Sequence, residues 1–180
     1  TIPLNEGLLK KVRMVLPTCL LNPAFTHEPD QCPPVVGGNV ETSQRLVDLL
    51  LKALSLAGCS QGTMNNVIFG HRSLSYYETV CGGVGATDEG PGADAVHSHM
   101  TNTAITDPEI LELRYPVRLH RFEIRHGSGG SGLHRGGNGI IREIEFLEPI
   151  SLSLLTQHRL EGPYGMDGGS RGKPGRQQLI

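Results

Sequence analysis

Apolar residues recur at helical spacing most clearly over residues 43–57. Leu46, Val47, Leu50, Ala53, Leu54 and Ala57 fall on one stripe, which predicts a long amphipathic helix. Asn39 or Thr42 is placed to cap its start, and Gly58 its end. Upstream, residues 12–16 form an apolar run stopped by Pro17, and residues 23–34 form a loop with four prolines. Residues 67–69 and 74–79 predict short strands joined by a turn around Gly70-His71-Arg72. Thr106-Asp107-Pro108-Glu109 has capping-box spacing with proline in the first turn, so a second, short helix starts there and Pro116 ends it. After Pro116 the period changes to two. Residues 117–125 predict a strand whose apolar phase slips between Leu119 and Phe122, as a bulge would require. Residues 140–146 and 150–155 follow. In the latter, Ile150, Leu152 and Leu154 alternate with Ser151 and Ser153, as in a half-buried strand. The short link at Glu148-Pro149 predicts a hairpin between these two. The class is α+β, mixed and strand-rich, with antiparallel hairpins in the C-terminal half and one long amphipathic helix.

Length, composition and charge add to this picture. The 180 residues suit one domain, but the chain begins at Thr1 without methionine and stops at Ile180 inside what reads as a strand, so residues 1–180 are expected to be a fragment cut at both ends. The 24 glycines argue for turns and close backbone approaches rather than many helices. A net charge of −2 and a pI near 6.4 give no electrostatic case for a nucleic-acid partner or an anionic membrane. No apolar run reaches membrane-spanning length. Cys19, Cys32, Cys59 and Cys81 are scattered without a Cys-x-x-Cys pair, which points to reduced thiols in a cytoplasmic setting and against a Cys-rich zinc site.

The chemistry concentrates in Val96-His97-Ser98-His99-Met100-Thr101-Asn102-Thr103, where a core strand would carry Val or Ile. This run predicts a polar cavity. His97, His99 and Asn102 are the candidate catalytic residues. Two further polar segments, 37–45 and 60–66, lie beside apolar runs and are expected to wall the same cavity. Asn39, Glu41, Gln61, Asn65, Thr101 and Thr103 are the candidate substrate contacts. On a strand, His97 and His99 would share a face and could reach one metal, completed by Asp94, Asp88, Glu78 or Asp107; the spacing selects none of these acids. Hydrogen bonding or proton transfer is the competing role. Gly127-Ser128-Gly129-Gly130-Ser131-Gly132 formally matches G-x-G-x-x-G, but no helix can open at its third glycine, so it reads as a loop. No phosphate-binding loop and no Gly-x-Ser-x-Gly elbow are present.

Taken in order, Gly38-Asn39-Val40-Glu41-Thr42-Ser43-Gln44-Arg45, Ser60-Gln61-Gly62-Thr63-Met64-Asn65-Asn66, Tyr76-Tyr77-Glu78-Thr79, His97 to Thr103, Thr106-Asp107-Pro108-Glu109, Arg125-His126-Gly127-Ser128-Gly129-Gly130 and Arg135-Gly136-Gly137 resemble the hydantoinase B/5-oxoprolinase family, and more closely the B-type half of 5-oxoprolinases. The resemblance runs nearly end to end. It implies ATP-dependent opening of a cyclic amide, 5-oxoproline or a hydantoin. A kinase-like A half, in the same or a partner chain, would bind ATP and Mg²⁺ and activate the small cyclic-amide substrate. The B half would then complete hydrolysis. Any divalent metal is expected in a part of the module outside this chain, and no cofactor is expected on these residues. His97 or His99 would be the general base. Asn102, Thr101, Thr103 and the amides near Gly82-Gly83 would be oxyanion donors.

Two positions depart from the family pattern. Ala104 follows Thr101-Asn102-Thr103 where relatives often carry arginine, which removes a fork for a carboxylate and puts 5-oxoproline specificity in question. Asn138 stands where aspartate is common, read as a turn position tolerant of either. The alternative functions are a non-catalytic assembly module and a metal-dependent hydrolase using His97 and His99. The chain alone is expected to have neither ATPase nor hydrolase activity, and an open sheet edge would favour a homo-oligomer.

Overall fold

The computed structural model describes residues 10, 12–19, 21–33 and 40–180, which fall in two units, 1–36 and 37–180. In the first unit the apolar run at Val12, Met14, Val15 and Leu16 is exposed. Asn22 closes a turn, donating its Nδ2 to Leu16 O at 3.0 Å. The proline loop contains a short 3₁₀ turn, Pro29–Gln31.

In the second unit, helix α1 spans Glu41–Ala53. It starts earlier than the stripe predicts and ends before Gly58. Its N-cap is Val40, with no side-chain cap bond, and Thr42 lies inside the first turn. Asn39, the other expected cap, lies outside the described residues. The helix closes instead at Ser55, held at φ 53. Ser55 N donates to Lys52 O and Leu56 N to Leu51 O, the Schellman pattern with serine where glycine is usual. The larger correction concerns which face is buried. Leu46, Leu49, Leu50 and Leu54 are exposed, whereas Gln44 and Asp48 are buried. The polar side faces the unit because Ser60, Thr63 and Met64 N offer it hydrogen-bond donors.

The strands are β1 (Asn66–His71), β2 (Leu74–Thr79), β3 (Val117–Ile124), β4 (Ile140–Phe146) and β5 (Ser151–Leu155). All pairing is antiparallel, in a three-stranded sheet ordered β2-β1-β5 and a two-stranded sheet β3-β4. The β1-β2 hairpin turns tightly between His71 and Leu74. The expected bulge is present, between Leu119 and Arg121. The expected β4-β5 hairpin is not: β5 pairs with β1, and Leu147 N turns back to Pro116 O. Pro149 has no N–H for a tight hairpin ladder, and the alternation of β5 is satisfied by setting Leu152 opposite Phe69. Helix α2, Pro108–Arg114, is capped by Asp107 rather than Thr106, with Oδ1 accepting from Glu109 N at 2.9 Å and Ile110 N at 3.4 Å.

One apolar core joins these elements. Phe69, Tyr76, Leu111 and Val117 are buried, with Tyr115, Ile144, Phe146 and Leu152 packed around them. Phe69 stacks on Tyr76 at 4.6 Å between centroids and meets Phe146 edge-on at 5.3 Å. Elsewhere the glycines allow segments to touch. A Cβ at Gly83 would overlap Gly137 O, and one at Gly85 would overlap Gly58 O. Gly137 N donates to Val84 O and Ala95 N to Asn138 O, so backbone bonds replace a ladder there.

Candidate functional site

The chain folds the 96–103 run as a tight turn, not a strand. Val96 makes a single bridge with Gly82. Thr101 N and its hydroxyl then donate to Ser98 O at 3.0 and 2.9 Å, with His99 in the left-handed region at φ 53. The two histidines therefore diverge, since only a strand puts residues two apart on one face. His97 Nε2 lies 3.4 Å from Thr103 Oγ1, which in turn touches Thr79 Oγ1. Burial holds the His97 imidazole below its ordinary pKa, partly offset by a hydrogen bond to Thr103. His99 reaches the other way, to α1, with Nε2 3.0 Å from Asp48 Oδ1. Its side chain is 16% exposed and that of Asp48 4%.

Asp48 is the centre of this site. Ser60 N and Ser60 Oγ donate to it at 3.1 and 3.0 Å, and the Cys59 thiol lies 3.6 Å from Oδ2. A buried carboxylate survives only with such donors. Cys59 Sγ is also 3.6 Å from His158 Nε2, which sits 2.6 Å from Arg45 Nη1. Burial, then the Asp48 charge, pushes the Cys59 thiol up to about 12, so it is no nucleophile at neutral pH. Burial, then the Arg45 charge, lowers His158, which is therefore neutral at neutral pH. Tyr164 donates its hydroxyl to Asp48 O at 2.8 Å, and burial pushes that phenol up to about 12.

The expected substrate contacts distribute around this centre. Glu41, on one helix face with Gln44 and Asp48, accepts from Thr63 Oγ1 at 2.8 Å and Met64 N at 3.1 Å. Gln61 donates to Thr63 O at 2.7 Å, and Asn65 to Val80 O at 3.3 Å. Among the described residues, the Gln44 amide, Gln61 Oε1, Glu41 Oε2 and Ser98 Oγ are buried without a partner. Thr101 is buried in the turn, whereas Asn102 and Thr103 are exposed. Asn39 lies outside the described residues. Gln61, Asn65, Gly82 and Gly83 line a broad open trough of about 2050 Å³ that also meets β4 and the C-terminal glycine segments, while His97, His99 and Asn102 lie away from it. The Gly82-Gly83 amides, beside Cys59 and Gln61, therefore line a surface that His97, His99, Thr101, Asn102 and Thr103 do not.

Three of the four acids considered as metal partners, Glu78, Asp107 and Asp94, are engaged elsewhere, while Asp88 lines the trough. Glu78 pairs with Arg142 at 3.0 Å inside the fold and accepts from the Tyr76 hydroxyl at 2.7 Å. Asp107 caps α2. Asp94 receives both Nη1 and Nη2 of Arg135, at 2.6 and 3.0 Å, and the Asn138 N–H at 2.7 Å, which hold its carboxyl well below the usual range. Among the described residues no group of three His, Cys, Asp or Glu side chains is placed to hold a metal. Asn138 also holds contacts beyond its own turn. Its Oδ1 accepts from Ser128 N and Gly129 N, both at 3.0 Å, and its Nδ2 donates to Asp94 at 3.2 Å, so it pins the glycine loop through both ends of the amide.

Arg45, Asp48, Cys59, His158 and Tyr164 were not singled out as site residues from sequence. The one available signal was Asp48 itself, an acid set among Val47, Leu49, Leu50 and Leu51 and one turn after Gln44. Among the described residues no helix is long and apolar enough to cross a membrane.

Comparison with known proteins identifies the family. The family model described as hydantoinase B/oxoprolinase matches residues 1–180. The chain is 49% identical over 179 residues to 5-oxoprolinase 1 of Arabidopsis thaliana, covering 99% of this chain and 14% of that protein. It is 49% identical over 180 residues to 5-oxoprolinase of Dictyostelium discoideum, again covering 99% of this chain and 14% of that protein. The B component of a putative D-/L-hydantoinase of Pseudomonas sp. (strain NS671) is 31% identical over 183 residues, covering 96% of this chain and 30% of that protein. The 180 residues thus span about a seventh of the 5-oxoprolinases they match. With a family match over its whole length, the chain belongs to the hydantoinase B/oxoprolinase family.

Proposed function

We propose that these residues form part of the B-type half of an ATP-dependent cyclic-amide hydrolase acting on 5-oxoproline or a hydantoin-type ring. The observation that carries the reading is the His99 imidazole anchored on a buried carboxylate, in a chain 49% identical end to end to proteins named 5-oxoprolinase. A lactam is a poor acyl donor, so activation elsewhere must be followed by water attack. An ionised Asp48 can only accept, so Nε2 of His99 carries the proton and Nδ1 is left as the basic nitrogen. That atom takes the proton from the attacking water. Asp48 fixes ring and tautomer and stabilises the imidazolium that results, and Ser60 in turn orients Asp48.

His97, neutral and half-buried beside Thr103, is assigned to positioning the ring, with Asn102 and Thr103 as exposed polar contacts. A kinase-like A half supplies ATP and Mg²⁺ chemistry. The donor set among the described residues does not fit a metal, so a divalent ion, where the enzyme uses one, is assigned to residues outside them. Among the described residues the outer edges of β2 and β5 have no strand partner, which leaves them for pairing with the rest of the enzyme or a second copy. A cytoplasmic setting is consistent with the free Cys19, Cys32, Cys59 and Cys81. The test is glutamate release from 5-oxoproline by the complete enzyme with and without ATP. ATP-dependent release is expected. Release by the 180-residue chain alone, or without ATP, contradicts the proposal.

A further inference from the structure

Arg45 closes the motif at the start of α1, yet its cation has no carboxylate within ion-pair distance among the described residues. Among the described residues its one side-chain hydrogen-bond partner is His158, 2.6 Å from Nη1. The state of that histidine follows from its other nitrogen. Nδ1 lies 3.0 Å from Glu161 O, and a carbonyl can only accept, so Nδ1 carries the proton and Nε2 presents a lone pair to Arg45. A neutral imidazole thus orients the guanidinium without cancelling its charge. Nearby, Gly62 sits at φ 64, and a Cβ there would come within 2.8 Å of Arg45 Nη1, so a glycine keeps the space around the cation clear. Asp48, the nearest buried acid on the same helix, is occupied by Ser60, Cys59 and His99.

The distances from His99 to Arg45 run through Asp48 at 3.0 Å, Cys59 at 3.6 Å, His158 at 3.6 Å and Arg45 at 2.6 Å. General base and unpaired cation therefore border one polar centre. Further donors of a guanidinium remain after one acceptor is met, and a carboxylate is the planar anion that fits them.

We propose that Arg45 is the residue that binds the carboxylate of a carboxylated lactam substrate, held in place by His158. It would select a carboxylated ring over a carboxylate-free one at this site. This rests on the cyclic-amide reading above.

The test compares steady-state kinetics of the complete enzyme and its Arg45→Gln and Arg45→Lys variants on 5-oxoproline and on 2-pyrrolidone, which lacks the carboxylate. In Arg45→Gln, KM for 5-oxoproline should rise on the order of 10- to 100-fold, as loss of a charge-assisted hydrogen bond implies. The kcat should fall less, and the 5-oxoproline/2-pyrrolidone ratio of kcat/KM should drop by the same factor as KM rises. Arg45→Lys keeps the charge without the planar fork and should lie between wild type and Arg45→Gln. If Arg45→Gln does not fold, Arg45→Lys with direct 5-oxoproline titration decides: unchanged affinity overturns the assignment. Turnover of 5-oxoproline with an unchanged KM in Arg45→Gln also overturns it. Absence of any ATP-dependent 5-oxoproline turnover by the unmodified enzyme overturns the underlying reading instead.

Discussion

The second unit holds two interiors of opposite character. Beneath the sheets, Phe69, Tyr76, Leu111 and Val117 exclude water by burying rings and methyl groups. Beneath α1, Asp48, Gln44, Ser60 and Thr63 are equally inaccessible but polar. The first is held by area and shape, which tolerate modest repacking. The second is held by donors aimed at one carboxylate, where removing a single partner leaves a buried charge exposed to a low dielectric. A hydrophobic core serves stability alone. A polar core at comparable burial carries a free-energy cost that function has to justify.

Phe69→Ala breaks the apolar interior most severely. It removes the stack on Tyr76 and the edge contact with Phe146, and should cost about 3–5 kcal/mol, read as a fall in the denaturant midpoint. Asp48→Ala attacks the polar interior. It strands Ser60 N, Ser60 Oγ and His99, and should cost about 2–3 kcal/mol together with most activity. Asn138→Asp replaces the donor to Asp94 with a second carboxylate and should cost about 1–3 kcal/mol, measured by thermal unfolding at neutral pH. That loss should shrink on acidification. The folded-state pKa of Asp94 is depressed, so its contribution is present above the ordinary value of about 3.9 and fades as pH falls below it. Smallest is Ser55→Gly, which relieves a left-handed serine at the end of α1 and should stabilise by about 1 kcal/mol.

The same contrast explains what the sequence disclosed. Short apolar and alternating runs locate β1 to β5, and the Thr106-Asp107-Pro108-Glu109 start signal locates α2. The bulge near Leu119 was visible as a slip in that alternation. The partner of β5 was not, because Leu152 and Leu154 would suit either neighbour, and only the free edge of β1 decides. Helix α1 misled for a physical reason. Its leucine stripe marks the exposed face, while its buried face is written in Gln44 and Asp48, residues that ordinarily mark solvent. His97 and His99 marked this segment as a candidate for chemistry by residue type, but a left-handed backbone at His99 sends the rings apart. His158 lies 59 positions beyond His99 (158 − 99) in an irregular segment with no pattern of its own, so its approach to Cys59 and Arg45 is set by tertiary contacts only.

The central claim, that the polar interior beneath α1 holds a general base on His99, is tested most directly by His99→Ala in the complete enzyme. Turnover of 5-oxoproline and the unfolding midpoint should be measured on the same preparation. Loss of about two to four orders of magnitude in kcat, with the midpoint nearly unchanged, is the predicted result. Unchanged turnover accompanied by a large fall in the midpoint would contradict it and make His99 a structural partner of Asp48.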